Sequence, residues 1–193
     1  MQTTLKQITR DVAVMLGEPL LPECEPEEGI LPALDSRVRL SAPGVLAELI
    51  LTLPAEMLTG WKTLTGCSLT VDGNGTGIIT LPEDFLRLGS LRLTEMRAGI
   101  EKTLADDDPL KEVLCSEWAG VRGSVERPRA VLAPGPDGSR VIKIYSASPE
   151  AVIEEGYYIS APVFDGNDRM DVPDRIYGEF VKRLAGELKE NEI

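Results

Sequence analysis

The stretch GNGTGIITLPEDFLRLGSLRLTEMR, residues 73–97, decides how the middle of this chain folds. It opens with three glycines in five residues, where a backbone free to adopt positive φ turns easily. The β-branched run at 78–80 predicts a strand. The LPED sequence at 81–84 ends that strand, because proline cannot donate to a ladder and restricts the residue before it. A second apolar segment follows at 85–96, and the stretch contains no constellation of catalytic side chains.

The residues just before this stretch extend the β-structure. A short strand at 68–71 and another at 77–81 predict a hairpin that turns at Gly73-Asn74-Gly75. A phosphate-binding loop is the functional alternative for this turn, but the turn lacks the GxxxxGK[ST] spacing. Asp72 and Asn74 are also similar to the start of a calcium loop, yet the remaining ligand positions are missing. We therefore interpret the glycines as a turn.

Three further strands are predicted downstream, at 130–133, 140–146 and 157–163. The sequence PGPDG at 134–138 separates the first two and is a strong turn signal. Pro162 pushes the third strand towards an edge or an end of a sheet. Because the strands follow one another closely, we expect an antiparallel meander without βαβ crossovers.

Helical patterns occupy the N-terminal third of the chain. Apolar residues at helical spacing predict one amphipathic helix at 3–16 and a longer one at 32–53. Pro43 falls inside the second pattern. We expect either one kinked helix or two helices that meet near Ser41.

A third helical pattern lies near the C-terminus. Its apolar face extends from Ile176 to about Lys189, and Asp171 is placed to cap it, with Pro173 in its first turn. Two N-terminal helices cannot bury their apolar faces by themselves, so we expect the C-terminal helix to complete a small bundle.

These patterns predict an α+β fold in which an antiparallel β-sheet domain is inserted into a small helical bundle. The predicted divisions are N-terminal helices at 1–59, an inserted β-rich region at 60–170 and a C-terminal helix at 171–193.

Composition narrows the classes of function. The 193 residues include 20 basic and 32 acidic ones and carry a net charge of −12. Sequence-specific nucleic-acid binding is not expected, because it needs clustered Lys and Arg. No apolar window approaches the roughly 18 residues of a membrane span, and the N-terminus lacks an apolar signal core. We expect a cytoplasmic protein without a membrane partner.

The residues available for chemistry are few. The chain has no histidine, which removes the commonest general base. Cys24, Cys67 and Cys115 lie far apart without a CxxC pair, so neither a zinc site nor a disulfide framework is predicted. The three aspartates at 106–108 are the best candidates for a divalent ion, but consecutive side chains do not usually point at one centre. We assign no catalytic, cofactor-binding or metal-binding residue and do not expect an enzyme.

Two segments of the sequence carry a resemblance to a known family. The first, GTGIITLPEDFLRL at 75–88, resembles the "strand, Leu-Pro-x-Asp-Phe-Leu-Arg" signature of phage head-to-tail adaptors, the tail tubular or neck proteins of short-tailed phages. The second, RVIKIYS at 140–146 with YYISAPV at 157–163, is similar to the strand and Tyr-x-x-x-Pro pair that precedes their closing helix. The signature residues in this chain are Gly77, Leu81, Pro82, Asp84, Phe85, Leu86, Arg87, Tyr145, Tyr158 and Pro162.

The resemblance implies a structural subunit of a phage or prophage connector. Such subunits form a ring below the portal, continue the DNA channel and dock the tail. The implied partners are the portal protein, tail or neck proteins and other copies of the chain, with no cofactor. The implied location is the cytoplasm of the bacterial host during assembly and then the virion neck. The acidic segment 18–31 and the C-terminal tail are the candidate docking segments.

A second class of function stays open. The chain is alternatively a monomeric protein-binding or scaffolding module of a mobile element, without catalytic activity. Copy number in particles distinguishes the two classes, since only a ring subunit occurs in many ordered copies.

Overall fold

The computed structural model describes residues 2–17, 31–104, 108–110, 123–135, 137–145 and 147–190. Several predictions lie wholly or mostly outside these residues: the acidic segment 18–31, of which only residue 31 is described, the first two of the three aspartates at 106–108, and the end of the C-terminal tail.

The described chain is α+β and divides into two compact units. Unit 1 comprises Met1–Gly60 and Ala161–Ile193, and unit 2 comprises Trp61–Ser160. Helices from both ends of the chain thus belong to unit 1, and the antiparallel sheets of unit 2 lie between them in sequence. Residues 161–170, which the sequence grouped with the inserted region, fall in unit 1.

Unit 1 contains three helices and a small sheet among its described residues. The helices are α1 (Leu5–Leu16), α2 (Leu31–Thr52) and α3 (Tyr177–Glu190), and each contacts the other two. Strand β1 (Gln2–Thr4) pairs antiparallel with a strand that precedes α3, β9 (Arg169–Asp171). The buried core combines apolar side chains from all three helices, among them Ile8, Val12, Leu46, Leu49, Phe180 and Leu184.

The ends of α1 follow ordinary capping chemistry. Thr4 is the N-cap, and its side-chain hydroxyl accepts a hydrogen bond from the amide of Gln7 at 3.3 Å. Gly17 is the C-cap, with φ of 76°, a conformation that glycine adopts without strain. Between α1 and α3, the Tyr177 hydroxyl donates to Asp11 Oδ2 at 2.5 Å. Burial, together with this hydrogen bond to Asp11, raises the pKa of Tyr177, so the phenol stays protonated and remains a donor.

Three details of unit 1 differ from the sequence predictions. The helix predicted from residue 3 begins at Leu5, because residues 2–4 pair with β9 instead. The two-helix alternative for 32–53 is wrong, since α2 continues through Pro43 as one helix. Asp171 does not cap the last helix, because it lies in β9 and a 3₁₀ turn at Asp174–Ile176 precedes α3.

The described residues of unit 2 form two antiparallel sheets. The three-stranded sheet has the order β2 (Lys62–Thr63), β8 (Ile153–Ser160), β5 (Phe85–Leu93). The four-stranded sheet has the order β3 (Leu69–Val71), β4 (Thr76–Thr80), β7 (Arg140–Tyr145), β6 (Ala130–Pro134). The predicted hairpin is present as the β3–β4 pair.

The predicted meander is correct for two of its three strands. β6 and β7 pair antiparallel, as expected. β8 does not continue that sheet, because it pairs with β5 on one side and β2 on the other. The reason is a contact between residues that are distant in the chain. β8 pairs with β5, the strand that follows the LPED break, and Tyr158 on β8 stacks on Phe85 at the start of β5.

The core of unit 2 draws on both sheets. Its buried members are mostly aliphatic, as the shortage of aromatic residues requires; they include Leu64, Ile79, Leu88, Leu91, Leu93, Ile142 and Ile144. No helix of the described residues is long and apolar enough to cross a membrane.

Gly89 provides a sensitive test of the three-stranded sheet. It lies within β5, and a Cβ added there would come within 2.3 Å of Cζ3 of Trp61. We expect Gly89→Ala to lower the free energy of unfolding by about 1–3 kcal/mol, because the indole ring must move. Urea unfolding measures the change, and tryptophan fluorescence reports the displaced ring.

The matched control is Gly73→Ala, whose added Cβ would meet nothing within 4 Å. We expect its effect on unfolding to be much smaller. Equal effects of the two substitutions would contradict the packing of Trp61 on Gly89.

Candidate functional site

The signature segment connects the two sheets of unit 2. Residues 81–84 carry the chain from β4 of the four-stranded sheet to β5 of the three-stranded sheet. At the start of the segment, the Leu81 amide donates to the Arg140 carbonyl at 2.9 Å. At its end, the Phe85 amide donates to the Pro82 carbonyl at 3.0 Å, which closes a turn. Proline suits this turn because it has no N–H to donate to the β4 ladder and because its ring fixes the backbone φ angle.

Phe85 is the apolar centre of the segment and contacts a side chain from each sheet. It is only 2% exposed. Its ring stacks on Tyr158 of β8, with centroids 5.6 Å apart and an interplanar angle of 21°. The guanidinium of Arg140 on β7 lies 5.4 Å from the same ring centroid, within range of a cation–π interaction. Arg140 Nη1 also donates to the Phe85 carbonyl at 2.7 Å, so one arginine binds both the ring and the backbone.

Asp84 provides the polar half of the cluster. Its Oδ2 accepts from Lys62 Nζ at 2.5 Å, and its Oδ1 accepts from the Tyr158 hydroxyl at 3.0 Å. Burial would raise the pKa of Asp84, but the hydrogen bonds from Lys62 and Tyr158 and the Lys62 charge outweigh it and lower the pKa below its ordinary value. Asp84 and Lys62 are both about half exposed, so their ion pair contributes about 1 kcal/mol or less.

The Tyr158 phenol is held protonated by the same contacts. Burial, together with the hydrogen bond to the ionised Asp84, raises the pKa of Tyr158 to about 12. Tyr158 therefore remains a hydrogen-bond donor over the physiological range. We call Lys62, Asp84, Phe85, Arg140 and Tyr158 the turn cluster; its five side chains hold the LPED turn to both sheets.

The contacts of the turn cluster are structural, because they hold the LPED turn against both sheets. Both oxygens of Asp84 already accept hydrogen bonds, and its nearest donors are a lysine and a neutral phenol. Within the described residues, no group of three or more His, Cys, Asp or Glu side chains is arranged to hold a metal ion. Burial raises the pKa of the partly buried Cys67 thiol, which disfavours the reactive thiolate.

The structure brings together only part of the predicted signature. Asp84, Phe85 and Tyr158 meet in the turn cluster, and Leu81 and Pro82 supply its backbone. Gly77 lies in β4, where an added Cβ would come within 3.0 Å of the Ala147 Cβ. Leu86 and Arg87 follow in β5 and are half buried.

Two signature residues lie apart from the turn cluster. Tyr145, at the end of β7, is buried in a separate small cluster with Val131, against which Leu104 packs. Pro162 belongs to unit 1 and lies outside any strand, two residues after β8 ends at Ser160. β8 is the middle strand of its sheet, so Pro162 lies beyond the end of the strand and not at an edge of the sheet.

Sequence reasoning missed two members of the turn cluster. Arg140 falls within the predicted strand at 140–146, but the sequence assigns it no role there. Lys62 lies outside every predicted helix and strand. Lys62 is 22 residues from Asp84 in the chain, and Arg140 is 55 residues from Phe85. No sequence periodicity connects residues so far apart. The contact of Trp61 with Gly89 did have a signal, because a glycine inside a strand pattern suggests close approach of another group.

Comparison with protein-family models and with curated proteins identifies no relative of the chain. No protein-family model matches it, and no curated protein matches it. The roles assigned to its residues therefore rest on their own contacts.

The raised pKa of Tyr158 predicts how stability depends on alkaline pH. The folded protein holds the phenol proton to about pH 12, whereas the ordinary pKa is 10.0. The stabilisation is complete below pH 10 and is lost as pH rises from 10 towards 12. The free-energy difference between the native chain and Tyr158→Phe should shrink by about 1 kcal/mol between pH 8 and 11. Urea unfolding at pH 8, 10 and 11 measures it. A difference that stays constant with pH would contradict the raised pKa of Tyr158.

Proposed function

We propose that this chain is a structural subunit of a phage or prophage head-to-tail connector. It forms an adaptor ring below the portal that continues the DNA channel and docks the tail. We also propose that the three helices of unit 1 form one bundle, as the resemblance implies. The proposed partners are the portal protein, tail or neck proteins and neighbouring copies of the chain. The proposed locations are the bacterial cytoplasm during assembly and the virion neck afterwards.

The order of the two units along the chain is the observation that carries this proposal. Helices from the first 60 and the last 33 residues belong to one unit, and the antiparallel sheets lie among the described residues of the intervening unit, Trp61–Ser160. This is the order expected from the resemblance, with the signature turn at a joint inside the inserted unit. A ring subunit needs a stable body with two complementary side faces, and it needs no reactive centre.

The charge of the chain agrees with the proposed position beside DNA. A net charge of −12 repels phosphates, so DNA can pass through a lumen lined by such subunits without adhering. The contacts of the turn cluster hold residues 81–84 rigidly between the two sheets. The side chains of the cluster bind one another, which agrees with a structural role for this segment.

Copy number in purified particles tests the proposal. Particles released from the induced host are purified on a density gradient, and the chain is quantified by mass spectrometry with isotope-labelled peptides. We expect a fixed number of copies per particle, in a small whole-number ratio to the portal protein measured in the same sample. The major capsid protein provides the internal control for particle number.

A chain that is absent from the purified particles, or present at a variable trace level, would overturn the connector proposal. That result would favour the monomeric binding module, whose partner is free in the lysate.

A further inference from the structure

We propose that α2 carries the contact between neighbouring copies in the ring, and that α1 of the next copy binds there. The contact joins an apolar stripe on α2 to a basic and apolar face of α1. This inference rests on the proposed connector function and specifies how its subunits meet.

The stripe consists of four residues on the outer side of α2: Leu40, Gly44, Ala47 and Leu51. Their spacing of four, three and four residues places them on one face of a helix. Leu40 is 84% exposed and Leu51 is 53% exposed. Single exposed apolar residues are ordinary, but these extend over about 16 Å of one helix. We call this set the α2 stripe.

The opposite side of α2 is already used inside unit 1. That side buries a second row of apolar residues: Leu34, Val38, Ala42, Val45, Leu46, Leu49 and Ile50. α2 thus carries apolar residues on two opposite sides, with polar residues such as Ser36 and Glu48 between them, and an exposed second apolar side is typical of a helix that has a further partner. Among the described residues of one copy, the α2 stripe remains exposed.

The centre of the α2 stripe favours another helix as its partner. A Cβ added to Gly44 would meet nothing within 4 Å, and Ala47 presents only a methyl group. Small residues at a helix surface let a second helix approach closely, while Leu40 and Leu51 supply the flanking apolar contact.

The α1 helix offers a face of matching character. Val14 and Met15 are 53% and 58% exposed, and Arg10 and Lys6 precede Val14 at intervals of four residues. The α1 face therefore combines the exposed Val14 at its C-terminal end with positive charge one and two turns earlier, whereas Met15 lies about 100° away around the helix. It differs from the α2 stripe in sequence and in charge.

The charges of the two faces are complementary. Exposed Glu48 lies beside the α2 stripe, three residues before Leu51. Three residues along a helix span about 4.5 Å, and the four residues from Arg10 to Val14 span about 6 Å. When Val14 of one copy packs on Leu51 of the next, Arg10 lies within reach of Glu48.

The same charges disfavour pairing of two α2 stripes. Glu48 is the only charged residue from 40 to 53, so over this length two facing stripes would present two carboxylates and no cation. The nearest arginines on α2, Arg37 and Arg39, precede the stripe and already bind the Leu188 carbonyl and Asp168. The contact is consequently between two different faces. A contact of that kind passes from copy to copy and forms a ring where the rotation between copies closes, whereas two identical faces would stop at a dimer.

The sheets of unit 2 offer less for association within the part of the chain that is described. Edge strands β2 and β3 have two and three residues. The edge of β5 is paired at Leu91 with Ile100, and β6 has a bridge at Val131 to Leu104 and ends in Pro134. Short, covered or proline-ended edges resist strand addition, so helix faces are the better candidates for the contact between copies.

Cysteine crosslinking inside particles tests the contact. The double variant Val14→Cys with Leu51→Cys replaces the native chain in the induced host, and purified particles are oxidised and run on a non-reducing gel. We expect a ladder of dimers, trimers and larger species. The native chain, with its own three cysteines, controls for background crosslinks, and Val14→Cys with Lys182→Cys is the matched pair with an exposed position on α3.

The outcomes separate the contact from the connector function. If the double variant is incorporated into particles but gives no ladder on the gel, the proposed contact is overturned and the connector proposal stays intact. A dimer formed by Leu51→Cys alone overturns the contact in favour of paired α2 stripes. Absence of the native chain from particles overturns both proposals.

Charge exchange gives a second readout that does not depend on disulfide geometry. We expect Arg10→Glu and Glu48→Arg each to lower the copies per particle by about threefold or more, because each change places like charges together at every contact. The double variant should restore the native copy number. A double variant no better than either single one overturns the pairing of Arg10 with Glu48.

Discussion

The contacts of Phe85 are the interaction on which the inserted unit depends. The ring stacks on Tyr158 of one sheet and lies under Arg140 of the other, and Arg140 also binds the Phe85 carbonyl. Removing a buried phenylalanine costs about 3–5 kcal/mol in typical cores, a large fraction of the stability of a domain. Here the loss would also release the turn that directs the chain from one sheet to the other. The signature sequence is thus explained by packing, with Asp84 and Lys62 as the partly exposed polar edge of the same joint.

Unit 1 depends on a different constraint, the need to cover α2. A helix with apolar residues on two opposite sides is not fully buried by two neighbouring helices that pack on one of those sides. α1 and α3 cover the row that includes Val38, Leu46 and Leu49, and the α2 stripe stays in contact with solvent. Exposure of such a stripe is unfavourable for an isolated copy and favourable for assembly, because the apolar surface is removed from water only when copies meet. The fold and the proposed ring are linked through this one helix.

The sequence predicted local structure well and long-range pairing poorly. The β3–β4 hairpin, the β6–β7 pair and the strand break at Pro82 depend on neighbouring residues and turn chemistry, and all were predictable. The pairing of β8 with β5 was not, because about 60 residues separate the strands and periodicity does not specify a partner. The same limit hid Lys62 and Arg140 from the candidate site. Strand β1 was missed for another reason: three residues are too few to show alternation, and their partner β9 lies at the other end of the chain.

The location of the chain in the particle tests the central claim most directly. Antibody raised against the chain, with gold-labelled secondary antibody, is applied to particles released from the induced host and examined by electron microscopy. The connector proposal predicts gold at the neck, between capsid and tail. Labelled tail tips or capsid surfaces, or unlabelled particles with the protein left free in the lysate, would contradict it.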